Sequence, residues 1–310
     1  MSAIKASAGL GISGEYRFIT HGGARGTIDH GTSKNMILDS GIDALLGSGR
    51  SGPDRCWVGT SNAAVVSTQT DLQGTKVLMS TVQSTLSSLY VAGPPPYIEC
   101  TRTYRFNTGV ATGTWAEVGT GWNDGTGQAR FSRALILPTT VTVLADEQLD
   151  VVFTVRFYPS TTDVTGTVTL EGTPTDYTAR FACWNTGSTG NFFWTTPPMA
   201  LTGAIYASSN TANLDLIGAT GITLGSSGTN NGSDGSTMAF QGSYTAGSFT
   251  RTVRVTWPLN AANVGGVRKI AAAIPNVGNF GLQAVFTPVI NKTNTKVLTL
   301  DFAISITRRP

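Results

Sequence analysis

Charge is scarce in this 310-residue chain, with 13% of residues Asp, Glu, Lys or Arg. Histidine occurs twice and cysteine three times. So thin a supply of titratable and metal-ligating groups leaves little material for acid–base or metal chemistry, and neither an enzyme nor a metal protein is expected. Cys56, Cys100 and Cys183 are widely spaced and form no C-x-x-C pair, which fits buried thiols maturing in a reducing cytosol. The net charge of +3 is scattered. Without a basic block the electrostatic footprint of a nucleic-acid partner is missing. No apolar run approaches the ~20 residues that membrane insertion needs. Met1 to Leu10 holds one Lys and no apolar core, so it does not read as a secretory signal. The glycines show no three-residue period, which excludes collagen. No G-x-G-x-x-G or Walker pattern joins a strand to a helix, and no cofactor is expected. The 40% hydrophobic share, in turn, excludes a wholly disordered chain.

What the chain has in quantity is β signal, with Thr at about one residue in seven. Leu149, Val151, Phe153, Val155 and Phe157 alternate with Asp150, Val152, Thr154, Arg156 and Tyr158, the period of a half-buried strand. Phe131–Leu137, Val141–Leu144 and Val164–Leu170 read the same way, separated by Pro, Asp, Ser and Thr turns. Four such segments in a row predict a meander or Greek key. Arg251–Trp257 and Leu298–Thr307 form a second β region, and Gly225–Ser236 between the two regions reads as a long exposed loop. Gln148–Arg156 and Thr299–Thr307 resemble one another, each opening on Leu-Asp with a Pro-containing segment upstream, which raises an internal duplication. Helix is expected at most once, over Asn35–Leu46, interrupted by Gly41. The expected fold is all-β: two antiparallel β-sandwich-like domains, 36–175 and 176–310, behind an extended N-terminal arm, 1–35, with the break between Gly172 and Ala182.

The candidate sites are few. His21, Asp29 and His30 could meet in a loop, though their spacing matches no metal motif and polar loop roles suit them better. Asp146, Glu147 and Asp150 offer the paired carboxylates of a glycosidase, but turn chemistry and a solvated strand face account for them. Aromatics concentrate between Phe181 and Trp194, interleaved with amides and hydroxyls. Trp184, Trp194, Phe192 and Asn191 are therefore the candidate ligand site, able to stack on and hydrogen-bond a sugar; the competing reading is a hairpin whose aromatics fill the core of the second domain while its Gly/Ser/Asn loop turns in solvent. Gly93-Pro94-Pro95-Pro96-Tyr97 reads as a stiff connector.

One resemblance covers about residues 35–172. It runs in order through Asn35-Met36-Ile37-Leu38-Asp39-Ser40-Gly41-Ile42-Asp43, Cys56-Trp57-Val58-Gly59-Thr60, Tyr104-Arg105-Phe106 and Trp115–Trp122. Phe131-Ser132-Arg133-Ala134-Leu135-Ile136 follows, then Thr140–Val151 and Arg156-Phe157-Tyr158-Pro159. This order resembles a family of tailed-bacteriophage virion proteins, tail fibre or tail structural. The resemblance implies a structural role in tail, baseplate or tail fibre, with a head fibre or capsid decoration protein and a carbohydrate-binding receptor module as alternatives. It carries no catalytic motif. It also implies assembly in the bacterial cytoplasm and release by lysis into the virion. The partners it implies are other virion proteins, further copies of the chain in a homo-oligomer with a trimer favoured, and host surface glycan.

Overall fold

The computed structural model describes residues 6–86, 88–91, 93–160, 162–170, 172–183, 192–195, 205–208, 230–231, 237–261, 263, 266–272 and 280–309. Strands dominate. Through the first half of the chain they are β1 (Ala6–Gly22), β2 (Ile28–Ile37), β3 (Arg55–Gly59), β4 (Lys76–Leu78), β5 (Thr81–Thr85), β6 (Leu89–Val91), β7 (Tyr97–Phe106), β8 (Gly113–Trp115), β9 (Glu117–Gly121), β10 (Ser132–Leu135), β11 (Val141–Val143) and β12 (Glu147–Pro159). The second half adds β13 (Val164–Leu170), β14 (Thr173–Cys183), β15 (Ile205–Ser208), β16 (Asn230–Asn231), β17 (Thr237–Phe240), β18 (Thr250–Trp257), β19 (Val267–Ala272), β20 (Phe280–Ile290) and β21 (Leu298–Arg308). Among the described residues no helix is long and apolar enough to cross a membrane.

The first half is a sandwich. One layer places β12 between β1 and β7, with β5 and β6 on the far edge of β7. The other runs β2-β10-β9-β3-β4. Strand β2 serves both: Ile28–Asn35 pairs with β1, and Met36 and Ile37 pair with β10. Period-2 alternation sets the inward faces. Leu10, Ile12, Tyr16 and Phe18 from β1 are buried with Tyr104 and Phe106 from β7 and Leu149, Val151, Phe153, Val155 and Phe157 from β12. The Tyr16 hydroxyl crosses the core to Ser132 Oγ at 2.6 Å and Thr120 Oγ1 at 3.0 Å, tying the two layers together.

The second half repeats this pairing scheme. Its sheet β14-β20-β19-β15-β16 matches β2-β10-β9-β3-β4 strand for strand. Registers agree as well. Ala134 lies opposite Val118 and Leu135 opposite Glu117; Ala284 lies opposite Ile270 and Val285 opposite Lys269. Thr101-Arg102-Thr103-Tyr104-Arg105 on β7 recurs as Thr250-Arg251-Thr252-Val253-Arg254 on β18. On the outer face Asp150 sits opposite Arg105, and Asp301 opposite Arg254. Each aspartate accepts a two-toothed guanidinium fork from that arginine, at 2.7 and 2.6 Å in the first half and 2.7 Å twice in the second. The Leu-Asp likeness between the two β regions therefore marks a duplicated module.

The all-β expectation, with little helix and two sandwich-like units, describes the chain. Its boundaries move. Hairpin β13–β14 corresponds to hairpin β1–β2, so the second unit starts near Val164 rather than between Gly172 and Ala182. Residues 6–35 are no free arm: β1 is paired along both edges, because Leu10, Ile12, Tyr16 and Phe18 keep an inward alternation through the glycines. No meander links the four segments from Phe131 to Leu170, since β10, β11, β12 and β13 pair with strands other than one another. The chain passes from layer to layer instead. The helical expectation over Asn35–Leu46 shrinks to Asp39–Asp43 followed by a π turn, Ala44–Ser48, because Asn35–Ile37 is recruited into β2. Of the stretch 225–236, Asn230 and Asn231 form β16, and the remainder lies outside the described residues.

Gly41, a helix breaker by propensity, is required here by packing: a Cβ at this position would run into the Phe131 carbonyl oxygen. Gly41→Ala is expected to destabilise the protein by about 1–3 kcal/mol, the usual cost of overpacking, although alanine is the better helix former. Urea denaturation measures it; an unchanged or raised midpoint would refute the packing argument.

Candidate functional site

Two clusters of charged groups bear on the candidate residues or on the core. The first is the tip of the β1–β2 hairpin against the start of β12. His21 Nε2 stands 3.1 Å from Asp150 Oδ2, whose carboxylate is also gripped by Arg105. Arg25, from the turn, donates to Glu147 through Nε at 2.6 Å and through Nη2, and to the Thr142 carbonyl at 2.9 Å. The Leu144 amide donates to the same carboxylate. Asp29 is held by Arg17 and caps the Gly31 amide, while His30 Nε2 bonds with Thr20 Oγ1 at 2.9 Å.

The fold thus brings the sequence candidates His21, Asp29, His30, Asp146, Glu147 and Asp150 to one end of the first layer, where the bonds above commit His21, Asp29, His30, Glu147 and Asp150 to protein partners and Asp146 is exposed. Among the described residues no group of three or more His, Cys, Asp or Glu could hold a metal. The Arg25 guanidinium, ahead of the other causes, depresses Glu147 to about 2. Arg17 likewise lowers Asp29, and partial burial lowers His30. A carboxylate held at about 2 stays ionised at neutral pH and cannot donate a proton there. Chemically this end fixes shape.

The second place was not singled out as a site from sequence. Glu117 on β9 and Arg133 on β10 form a fully buried ion pair, with Nε to Oε2 at 2.8 Å. Glu117 also accepts the backbone amides of Ser61, Gln73 and Gly74, and Arg133 donates to the Ala63 and Ala64 carbonyls and to Gln69 Oε1. The pair pins the segment 60–75, in which Val66 is half exposed, onto the second layer. The signal was present in the sequence: Glu117 and Arg133 are lone charges inside Trp115–Trp122 and Phe131–Ile136, where alternation implies burial. In the second half their places are taken by Lys269 and Gln283, again buried polar residues.

The aromatic candidate site does not stand as proposed. Trp194 is 4% exposed and Phe193 fully buried. Both sit in a short helix, Phe192–Thr195. Phe193 packs on Phe157 and Phe131, and the Trp194 ring lies against Phe153 with the Arg102 guanidinium 4.3 Å from its centroid. A sugar has no open face of Trp194 to stack upon. Gly52 permits this docking, since a Cβ there would meet both rings at 2.5 Å. Phe192 is placed in the helix without a described side-chain environment, and Trp184 and Asn191 lie outside the described residues. Comparison with models of known families, with curated proteins and with solved structures finds no match.

Two outcomes follow from the ion pairs. Glu117→Ala strands the Arg133 charge in the core, and is expected to cost roughly 3–5 kcal/mol, whereas Glu117→Met with Arg133→Leu recovers much of that loss. Denaturant titration of both variants tests this, and equal losses would refute it. For Glu147 the folded pKa lies below the ordinary 4.5, so its contribution is complete above about pH 4.5 and disappears as pH falls toward 2. Arg25→Gln is expected to lower the melting temperature at pH 7 and to converge on the wild type near pH 2; a constant gap across that window would contradict the assignment.

Proposed function

We propose that this chain is a structural component of a bacteriophage virion, placed in the tail, baseplate or tail fibre, and that it acts by assembly contacts. The observation that carries the reading is the duplicated module itself. Residues at the heart of the resemblance, Arg105, Phe131–Ile136 and Leu149-Asp150-Val151, are the ones that define the repeated scheme, and Arg254, Ala284 and Leu300-Asp301-Phe302 occupy the matching positions in the second half. The second half lies outside the resemblance and repeats the pairing scheme of the half that carries it.

The use made of charge supports the same reading. Glu15 and Glu99 are gathered by one arginine, Arg156, and Asp150, Glu147, Glu117 and Asp301 are each held by an arginine of a neighbouring segment. Side chains committed in this way rigidify a surface, and rigid surfaces bind at low entropic cost. On this reading the protein assembles with other virion proteins and with copies of itself. The buried Trp194, on this reading, takes no part in contact with a host glycan.

The test is immunogold labelling of purified phage particles with antibody raised against the recombinant chain. Label on the tail or baseplate is the expected result. Label on the capsid would move the protein to the head, and particles free of the protein by labelling and mass spectrometry would overturn the reading.

A further inference from the structure

The duplication exposes an irregularity. In the first half, the edge of β12 remote from β7 is covered antiparallel by β1, with Val151–Phe157 opposite Phe18–Ile12. Phe302–Arg308 of β21 are the matching residues in the second half, and by the same scheme β13 should cover them. Strand β13 pairs with β14 and leaves them alone. The edge of β21 is instead covered by Ala6–Ile12, the first part of β1, running parallel. The second sandwich is short of one strand and borrows it from the first.

The borrowed segment is built to seal a slot. Its seven residues, Ala6-Ser7-Ala8-Gly9-Leu10-Gly11-Ile12, carry two large side chains, Leu10 and Ile12, both fully buried. The slot's walls are held by other means. On one side Arg308 donates to the Ile37 carbonyl at 2.5 Å and pairs with Asp39, and β21 is laddered to β18. On the other, β12 is laddered to β7 from Leu149 to Phe157. The segment itself is fastened by backbone bonds, among them Ser160 N to Gly9 O at 2.9 Å and Arg309 N to Ile12 O at 2.8 Å. Beyond Ile12 the pairing of β1 changes from β21 to β2, beginning at Gly14. Ile12 and Gly14 thus bound the one place where β1 changes partner on that edge, while its ladder to β12 continues through both.

We infer that Ala6–Ile12 is a donor strand that a second copy of this chain accepts along its β21 edge, so that assembly proceeds by strand exchange between copies. Every ladder bond and both buried side chains are reproduced in the exchanged form, because donor and slot are the same in each copy; this is what makes such swapping inexpensive. Head-to-tail donation closes a ring when the rotation between copies permits, a cyclic trimer being one solution. The inference takes its setting from the assembly reading above, but it is tested on purified chain, so unlabelled particles would defeat that reading without deciding this one.

A Cβ on Gly9 would lie 3.9 Å from Ser305 Oγ, and the two residues are register partners. Gly9→Cys with Ser305→Cys therefore reports which chain supplies the strand. Equal amounts of unlabelled and nitrogen-15-labelled double variant are refolded together, oxidised and digested. Exchange gives disulfide-linked peptide pairs with one light and one heavy member, about half of all pairs when mixing is complete. Only like-with-like pairs, or a wild-type chain that light scattering finds monomeric at every concentration, would overturn the inference. If that variant fails to refold, Ser7→Cys with Ala303→Cys, the register pair two residues away, gives the same readout.

Discussion

A β-strand presents hydrogen-bonding groups along both edges, and neither edge can be buried unpaired without a cost comparable to the bonds lost. The architecture depends on how β1 meets that demand. Residues 10–22 take β12 on one edge; on the other, residues 6–12 take β21 and residues 14–20 take β2. Two sandwiches that would otherwise be separate are joined by this strand into one sheet. Its side chains reinforce the junction: Leu10 and Ile12 are buried where the halves meet, and Tyr16 and Phe18 fill the first core. Remove the strand and β12 and β21 both lose an edge partner.

The repeated module shows which features its pairing geometry needs and which it tolerates losing. Both halves keep the Asp–Arg fork between directly opposed outer residues, Asp150 with Arg105 and Asp301 with Arg254. Both keep an inward arginine three residues earlier, lying over aromatic rings: Arg102 on Trp194, Arg251 on Phe240 and Tyr244. The buried Glu117–Arg133 pair is not kept. A carboxylate and a guanidinium out of water are stable only while each satisfies the other and the surrounding backbone. In the first half the segment 60–75 provides those backbone partners. With Lys269 and Gln283 in the matching positions, the second half has one buried charge of the opposite sign and a neutral amide, so the polar interior there is solved by different partners.

Much of the local structure was legible from period-2 alternation. Val164–Leu170 is a strand with the predicted limits, and Arg251–Trp257 and Leu298–Thr307 fall within one residue of β18 and β21. Pairing was not legible. Alternation says which face a residue occupies and is silent about its lateral neighbour, so four strands in a row left a meander and a Greek key both open, and the chain passes between layers instead of forming the meander. The first 35 residues were taken for an arm because Gly9, Gly11 and Gly14 thin out the apolar signal. Two of them sit in crowded places: a Cβ on Gly11 would meet the Arg309 side chain at 2.7 Å, and one on Gly14 would meet Asn35 Oδ1 at 2.6 Å. The site was harder still. Trp194 differs from a sugar-stacking tryptophan only by what lies over its ring, and that is set by Gly52, Arg102 and Phe153, residues far away in sequence.

The assembly role proposed above would place a demand on the fold that catalysis does not. A catalytic centre needs a few groups held accurately and tolerates mobility elsewhere, whereas a contact surface has to be rigid over its whole extent, since each segment ordered on binding subtracts from the affinity. The distribution of charge in this chain is compatible with that demand. Its few carboxylates are spent at crossings: Glu147 joins hairpin tip to strand start, Glu117 joins loop to sheet, and Glu15 and Glu99 join β1 and β7 across β12 through Arg156. Asp43 fastens the first helix to the second half through the Tyr244 hydroxyl and the Gly247 amide. At every one of these crossings two segments distant in sequence become one rigid body.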